Sequence, residues 1–249
     1  MRQYVICGHT HTSTAIEGSK LTPGKPLKDH QEVIGHAKAI DLIYKVVAGK
    51  KDIDETDLFD LHTSVITEKV TDIYQKSGEW KQEPNGTYTI DDNDKQVYLE
   101  YATVKDTPIL MKLFNKLLNK YKTKATANPL NSSDALEAYS DLHAAFVRVH
   151  PFYDGNGRMA RLLANIPVLI SGHPPILIPK EDRLKYIRSL GQYELSIGQP
   201  KLGEELVPHN KKFDVFQDVC KAAWKQSLEL VATAHELQIR RTKETDTRL

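Results

Sequence analysis

The chain has 249 residues, 40% hydrophobic and 27% charged, a balance that is ordinary for a globular protein and suits one large domain or a domain with an extension. A net charge of +1 excludes a bulk electrostatic attraction to nucleic acid or anionic membrane. The sequence shows no signal peptide and no membrane-spanning apolar run, and its two cysteines carry no motif, so we expect a cytoplasmic protein without nucleic-acid or membrane partners.

The first half of the chain is predicted to be mainly helical scaffold. Ser13 can cap a short helix that Gly18 stops, and longer amphipathic patterns over residues 29–47 and 55–76 each predict a helix. We assign no chemistry to the two longer helices.

Residues 78–101 have a different character from the helices around them. Asn85-Gly86 is a turn signal, and two short runs rich in aromatic and β-branched residues, 87–90 and 96–99, flank the polar turn 91–94. This pattern predicts a small β-hairpin, and the alternative is a surface loop that contains two short strands.

Two helices are predicted next, over residues 108–121 and 134–149, with a linker loop over 122–133. The second helix is apolar on two faces, which is typical of a buried central helix. Pro151 disfavours the α conformation at His150, so this helix is expected to end there.

The stretch from His150 to Arg161 combines complementary chemical groups in twelve residues. A histidine can act as a base near neutral pH, and Gly155 and Gly157 permit a turn that points backbone N–H groups at an anion. A helix over 158–166 would add its positive N-terminus to this turn, and Arg158 and Arg161 would share its first face. The sequence therefore predicts a phosphate site with a nucleophile-activating base at its rim.

The C-terminal part is predicted to be helical again. Pro167 is expected to kink the preceding helix or remove a hydrogen bond from it, and helices are predicted over 179–193 and 213–240, with a loop over 202–209 between them. The last helix is long and amphipathic, and we interpret it as a docked helix or a contact in a homodimer rather than a reader of nucleic acid.

Residues 150–161 resemble the motif of Fic-domain proteins, His-Pro-Phe-x-Asp/Glu-Gly-Asn-Gly-Arg-x-x-Arg, and match every defined position. The resemblance implies a mostly α-helical bundle with a small β-hairpin flap over the active site. It also implies a nucleotidyltransferase that moves AMP from ATP to a hydroxyl of a target protein. By this resemblance His150 is the general base, Asp154 holds Mg²⁺ on the phosphates, and Phe152 anchors the loop in the core.

The same resemblance implies roles for the remaining motif residues. Gly155, Asn156 and Gly157 are expected to form the anion hole, while Arg158 and Arg161 are expected to hold the β- and γ-phosphates. In the family, residues after the following turn help to line the adenine pocket, which makes Ile176 and Tyr186 candidates.

Residues 13–18 also resemble a known element, the inhibitory motif Ser/Thr-x-x-x-Glu-Gly/Asn of Fic proteins. The resemblance implies an autoinhibited protein of the class with an N-terminal inhibitory helix, here about 13–19, in which Glu17 pairs with Arg161 and turns the ATP phosphates out of line. Ser13 steadies that helix, and Gly18 completes the motif. The same glutamate could instead orient a water molecule that removes AMP from a modified target.

The predicted organisation is an N-terminal segment (1–27), a Fic core (28–200) with its flap at about 80–101, and a C-terminal helical extension (201–249). The expected partners are ATP, Mg²⁺ and a target protein whose extended segment pairs with the flap. Three alternatives to AMP transfer stay open, namely removal of AMP from a modified target, transfer of another phosphate-containing group, and a nucleotide-sensing interaction protein without turnover.

Overall fold

A computed structural model describes residues 27–49, 52–66 and 77–246 of the protein. The predicted inhibitory helix with Ser13, Glu17 and Gly18 lies outside these residues. Seven α-helices, one 3₁₀ turn and two strands make up the described part of the chain. They are α1 Leu27–Val47, α2 Glu55–Val65, β1 Gly86–Ile90, β2 Gln96–Glu100, α3 Thr107–Ala127, α4 Ser132–Val149, α5 Asn156–Ile170, the 3₁₀ turn Lys180–Asp182, α6 Arg183–Ile197 and α7 Lys211–Asp246. The prediction of a mostly helical fold with a small hairpin is confirmed.

Helix α4 forms the centre of the molecule, as its two apolar faces predicted. Fourteen of its 18 residues are buried, and it packs against α3, α5 and α7. Alanines at 138, 144 and 145 are fully buried and allow neighbouring helices to approach closely. The helix ends at His150, whose amide donates to the carbonyl of Phe146 at 3.0 Å.

Helix α5 is the second buried element and packs most extensively on α4. Twelve of its 15 residues are buried. Pro167 lies in its last turn, and the helix continues to Ile170 despite the missing N–H group. The side chain of Asn165 donates to the carbonyls of Arg161 and Ile176, at 2.8 and 3.1 Å, and accepts from the amide of Ile176 at 2.7 Å.

Several predicted helix ends were wrong. Helix α6, predicted over residues 179–193, spans Arg183–Ile197, and the 3₁₀ turn Lys180–Asp182 precedes it. Helix α3 continues through residues expected to form a linker and ends at Ala127, because Tyr121 and Ala125 extend its buried face. Helix α2 ends at Val65 rather than at residue 76, and its C-cap Ile66 has an extended backbone. Helix α7 runs six residues beyond its predicted end and reaches Asp246.

The hairpin pairs β1 with β2 in an antiparallel register that sets Gly86 opposite Glu100 and Ile90 opposite Gln96. It packs against α6 at a point of very close approach. A Cβ atom added at Gly191 would lie 2.1 Å from the hydroxyl oxygen of Thr89. A glycine at this position therefore lets the hairpin lie against α6.

Helix α7 packs on α4 and α6 through its N-terminal half. Phe213, Phe216 and Trp224 are buried there, and the indole of Trp224 donates to the carbonyl of Pro174 at 2.9 Å. Further along, Leu230 and Leu237 are exposed. None of the helices in the described ranges is both long and apolar enough to cross a membrane.

The hydrogen bonds of Asn165 predict that removing this side chain lowers the free energy of unfolding much more than removing an exposed asparagine side chain. We expect Asn165→Ala to lower the free energy of unfolding by about 2–4 kcal/mol, because it leaves the buried N–H and C=O of Ile176 without this partner. Asn119→Ala, at an exposed position in α3, should change it by less than about 0.5 kcal/mol. Urea denaturation followed by circular dichroism measures both values. Equal losses of unfolding free energy would contradict the structural role of the Asn165 hydrogen bonds.

Candidate active site

A pocket opens where the turn between α4 and α5 meets the hairpin and helix α6. Its lining combines residues from all three. The turn and α5 contribute His150, Asp154, Gly155, Asn156, Gly157 and Arg161; the hairpin contributes Thr87, Tyr88, Thr89 and Leu99; and α6 contributes Arg183, Tyr186, Gly191 and Glu194. Most of the predicted motif residues are thus brought together at one site.

His150 is held in a defined orientation at the end of α4. Its backbone is left-handed, with φ of 48°, which is uncommon for a residue other than glycine. Its Nδ1 lies 3.2 Å from the carbonyl oxygen of Val147, and its ring stacks on that of Tyr101 at 3.7 Å. Because a carbonyl oxygen only accepts, Nδ1 carries the proton of the neutral ring and Nε2 is left as the basic atom.

The environment of His150 keeps its imidazole neutral. Burial, together with the nearby positive charge of Lys81, lowers the pKa of His150 from 6.5 to about 3, although the hydrogen bond to Val147 works in the opposite direction. At neutral pH the ring is therefore unprotonated and its Nε2 lone pair is free, although the lowered pKa also makes this nitrogen a weaker base than that of an ordinary histidine.

The side chain of Asn156 closes the turn that follows His150. Its Oδ1 accepts from the amide of Phe152 at 3.0 Å, and its Nδ2 donates to the carbonyl of Phe152 at 2.7 Å. Phe152 itself is fully buried. The Asn156 amide is therefore engaged within the turn, and only its backbone N–H remains to serve the predicted anion hole.

His62 of α2 supports the same turn from another direction. It accepts from the amide of Gly78 at 2.9 Å, so its Nε2 carries the proton and donates to the carbonyl of Asp154 at 3.1 Å. Its ring stacks on Phe152 with centroids 3.8 Å apart. Burial lowers the pKa of His62 to about 4, which keeps this geometry intact at neutral pH.

Gly155 precedes α5 in a left-handed conformation with φ of 76°. A Cβ atom at this position would lie 2.8 Å from Cδ1 of Ile66, so both the backbone and the contact with the end of α2 favour glycine. The turn thereby delivers the N-terminus of α5, with its N–H groups that have no intrahelical acceptor, to the pocket.

The two arginines of the motif do not share one role in the structure. Arg161 is buried and lines the pocket, whereas Nη1 of Arg158 donates to the carbonyl of Val65 at 2.9 Å and its Nη2 lies 3.3 Å from Oδ2 of Asp154. Arg158 therefore joins the end of α2 to the turn. Its positive charge is also favourable beside the partial negative charge of the α2 C-terminus. That Arg158 and Arg161 hold the β- and γ-phosphates stays a prediction.

Asp154 presents its carboxylate at the mouth of the pocket. The side chain is 78% exposed, and Oδ1 accepts from the amide of Gly155 at 2.6 Å. In the ranges that the structure describes, no three His, Cys, Asp or Glu side chains form a cluster able to hold a metal ion.

The two candidates for the adenine pocket are separated by the structure. Tyr186 lines the pocket, and its hydroxyl lies 2.8 Å from Nε2 of His143. Ile176 is buried in the core and bonded to Asn165, so it does not line the pocket. Its apolar side chain is explained by packing.

The sequence did not point to three polar residues around the site. Glu194 is buried on the pocket wall with Oε2 3.7 Å from Nε of Arg148, and burial raises the pKa of Glu194 to about 8 while the Arg148 charge opposes this rise. Lys81 and Asn85 bind the back of the turn. In the sequence, Asn85 indicates only a turn, and no local pattern indicates that Lys81 belongs to the site.

Comparison with known proteins links this site to one family. Residues 52–167 match the model of the Fic/DOC family. Protein adenylyltransferase Fic from Drosophila melanogaster is 31% identical over 200 residues, and the match covers 73% of this chain and 36% of the relative. The homologue from Drosophila persimilis is 30% identical over 199 residues and is covered to 35%. The chain thus spans about a third of the length of these curated relatives.

Solved structures show the same fold. A Fic domain containing signaling protein from Bacteroides thetaiotaomicron aligns with a TM-score of 0.72 and 25% identity, covering 92% of this chain and 86% of that chain. Fic-1 from C. elegans aligns with a TM-score of 0.64 and 24% identity, covering 94% of this chain and 65% of that one.

His62 predicts a specific dependence of stability on pH. The pKa of His62 is about 4 in the folded protein and 6.5 in the unfolded chain, so between these values the unfolded chain binds more protons. The contribution of neutral His62 to the free energy of unfolding is therefore complete above pH 6.5 and is lost as the pH falls. His62→Gln should remove about 1.4 kcal/mol per pH unit from the slope in this window. Denaturation at pH 7, 6 and 5 measures the slopes, and identical slopes would contradict the prediction.

Proposed function

Because the chain is a Fic-domain protein, we propose that it is a protein adenylyltransferase, which transfers AMP from ATP to a hydroxyl side chain of a target protein. The observation that carries this proposal is a neutral His150 beside the N-terminus of a buried helix, at the rim of a pocket that the hairpin borders. A base, an anion site and a docking strand are the three parts that such a transfer needs.

His150 acts as the general base in this proposal. The hydroxyl oxygen of the target attacks the α-phosphorus, Nε2 of His150 takes the hydroxyl proton, and the bond to the bridging oxygen breaks so that pyrophosphate leaves. General-base help is worth about 10²–10⁴-fold in rate. The stacking on Tyr101 and the bond to Val147 support this role because they orient the ring before the substrate arrives.

The phosphates of ATP bind at the start of α5. The backbone N–H groups of Asn156 and Gly157 would face negative charge there, while that of Gly155 donates to Asp154, and the helix dipole favours the same charge. Arg161 adds a buried cation on the pocket wall. Arg158 contributes through the turn, because its guanidinium orients Asp154 and the C-terminus of α2.

Asp154 fits the Mg²⁺ ion that this chemistry implies. Magnesium commonly binds proteins through one or two carboxylates and takes its other ligands from phosphates and water, so one exposed carboxylate beside the phosphate site is sufficient. When bound, the ion neutralises charge on the leaving pyrophosphate.

The hairpin is the proposed docking site for the target. An extended segment that pairs with a strand edge would bring its hydroxyl towards His150, because β1 and the residue after β2 line the pocket. Tyr88 and Tyr98 are 64% and 49% exposed on the hairpin and offer apolar surface to such a segment.

We further propose that the resting protein is autoinhibited by Glu17. The proposal rests on the match of residues 13–18 to the family's inhibitory motif, with Ser13 and Gly18 at its defined positions. A carboxylate paired with Arg161 would displace the γ-phosphate and turn the α-phosphorus out of line. Misplacement by about 1 Å can cost about 10²-fold in rate.

The proposed activity is tested by covalent labelling with ATP that carries its label on the α-phosphate, in the presence of Mg²⁺ and a cell lysate as a source of targets. We expect weak labelling by wild type, strong labelling by Glu17→Gly, and loss of about 10²–10⁴-fold in Glu17→Gly/His150→Ala. A parallel reaction with γ-labelled ATP detects phosphate transfer.

Each outcome of the labelling experiment has a distinct meaning. Equal labelling by wild type and Glu17→Gly would contradict autoinhibition while leaving AMP transfer intact. Label from γ-labelled ATP alone would replace AMP transfer with phosphate transfer. Binding of ATP without label from either nucleotide, even in Glu17→Gly, would contradict the transferase proposal.

A further inference from the structure

Four consecutive backbone carbonyls, from residues 149 to 152, are all bound by one short segment that lies about 65 residues earlier in the chain. Lys81 Nζ donates to the carbonyl of Val149 at 3.1 Å, and its backbone amide donates to that of Pro151 at 2.8 Å. Asn85 Nδ2 donates to the carbonyls of His150 and Phe152, both at 3.0 Å. We call Lys81 and Asn85 the carbonyl clamp.

The two residues of the carbonyl clamp also bind each other. Lys81 Nζ donates to Oδ1 of Asn85 at 2.6 Å, which fixes the amide orientation so that Nδ2 points at the turn. Lys81 is 2% exposed although it carries an ammonium group, and burial lowers the pKa of Lys81 to about 7. Burying a lysine is costly unless its charge is bound, so packing alone gives no reason for a lysine here.

The four carbonyls bound by the clamp lie on and around His150, whose left-handed backbone is unfavourable for a residue other than glycine. His150 has φ of 48° and cannot continue the helix, so its own carbonyl and those of its neighbours have left the helical hydrogen-bond pattern. Donors supplied from outside the helix stabilise this conformation. The direction of the imidazole follows from the backbone that the clamp holds.

The carbonyl clamp is continuous with the hairpin. Asn85 immediately precedes β1, and its carbonyl accepts from the amide of Tyr101, the residue that follows β2. The ring of Tyr101 stacks on His150 at 3.7 Å. Both ends of the hairpin are therefore tied to each other and to His150. Asn85, at the first end, binds the backbone carbonyls, and Tyr101, at the second end, stacks on the imidazole ring.

We propose that Lys81 and Asn85 are positioning residues, which hold His150 in its reactive orientation and tie that orientation to the placement of the hairpin. The proposal rests on the proposed function, in which His150 is the base and the hairpin receives the target. Neither residue touches the reacting atoms, so their loss impairs the transfer step while ATP binding persists.

The kinetic test uses the Glu17→Gly protein as parent. Asn85→Asp keeps the shape and the acceptor for Lys81 but removes both donors, and Lys81→Met keeps the length but removes the ammonium group. We expect either change to lower kcat by about 10–100-fold, as expected of a misplaced base. The Kd for ATP should stay within about twofold, because the start of α5 is untouched.

Matched variants separate positioning from general damage. Lys81→Arg retains the charge and donors and should recover most of the lost rate. Asn119→Asp and Lys112→Met, at exposed positions of α3 away from the pocket, should leave kcat unchanged. Thermal unfolding confirms that each variant is folded, and the two clamp positions test the proposal independently if one of them fails to fold.

A second readout does not depend on activity. In the nucleotide-free protein, NMR follows the titration of the His150 ring and its contact with Tyr101. Because the Lys81 charge lowers the pKa of His150, Lys81→Met should raise it and Lys81→Arg should not. Asn85→Asp should weaken the ring contact between His150 and Tyr101.

The two tests keep the proposals apart. If the Glu17→Gly parent transfers no AMP, the proposed function fails and the NMR titration alone judges the carbonyl clamp. If the parent is active, an unchanged kcat together with an unchanged His150 resonance in both clamp variants overturns the positioning role. An equal loss of ATP affinity and kcat overturns it as well, since that result indicates general structural damage.

Discussion

The reversal of the chain between α4 and α5 is the constraint on which the rest of the site depends. Both helices are buried, and so are Pro151 and Phe152 of the connecting turn, so the polar backbone groups on this side of the turn cannot rely on water for hydrogen bonds. Asn156 closes the turn from within, His62 binds it from α2, and Lys81 with Asn85 bind it from the segment before the hairpin. A turn held from three sides can present His150 and the start of α5 in one geometry.

Burial supplies the chemistry as well as the rigidity of this arrangement. The pKa values of His150 and His62 are lowered to about 3 and about 4, so both rings are neutral at the pH at which a base is needed. On the part of the pocket wall that α6 forms, burial raises the pKa of Glu194 to about 8. The site therefore offers few fixed negative charges to a polyphosphate while Arg161 supplies positive charge, which suits an anionic substrate.

Local signals in the sequence were sufficient for most of the elements. Apolar periodicity predicted α4 and its burial, Pro151 predicted where α4 ends, and Asn85-Gly86 predicted the start of the hairpin. These signals act over a few residues and need no partner. The ends of α2 and α3 were predicted wrongly, because they depend on contacts with distant residues, such as the bond from Arg158 to Val65 and the pairing of Tyr121 with Asp141.

The sequence by itself determined the chemical inventory: a histidine, a carboxylate, a glycine turn and arginines within twelve residues, in a motif specific enough to identify the family. Only the tertiary structure decided how these groups are used. It directed Arg161 to the pocket and Arg158 to the end of α2, assigned the Asn156 side chain to the turn, and recruited Lys81 and Asn85 to His150. The reason is physical, because a side chain's role depends on which backbone groups lack a partner nearby, and those groups come from segments that are remote along the chain.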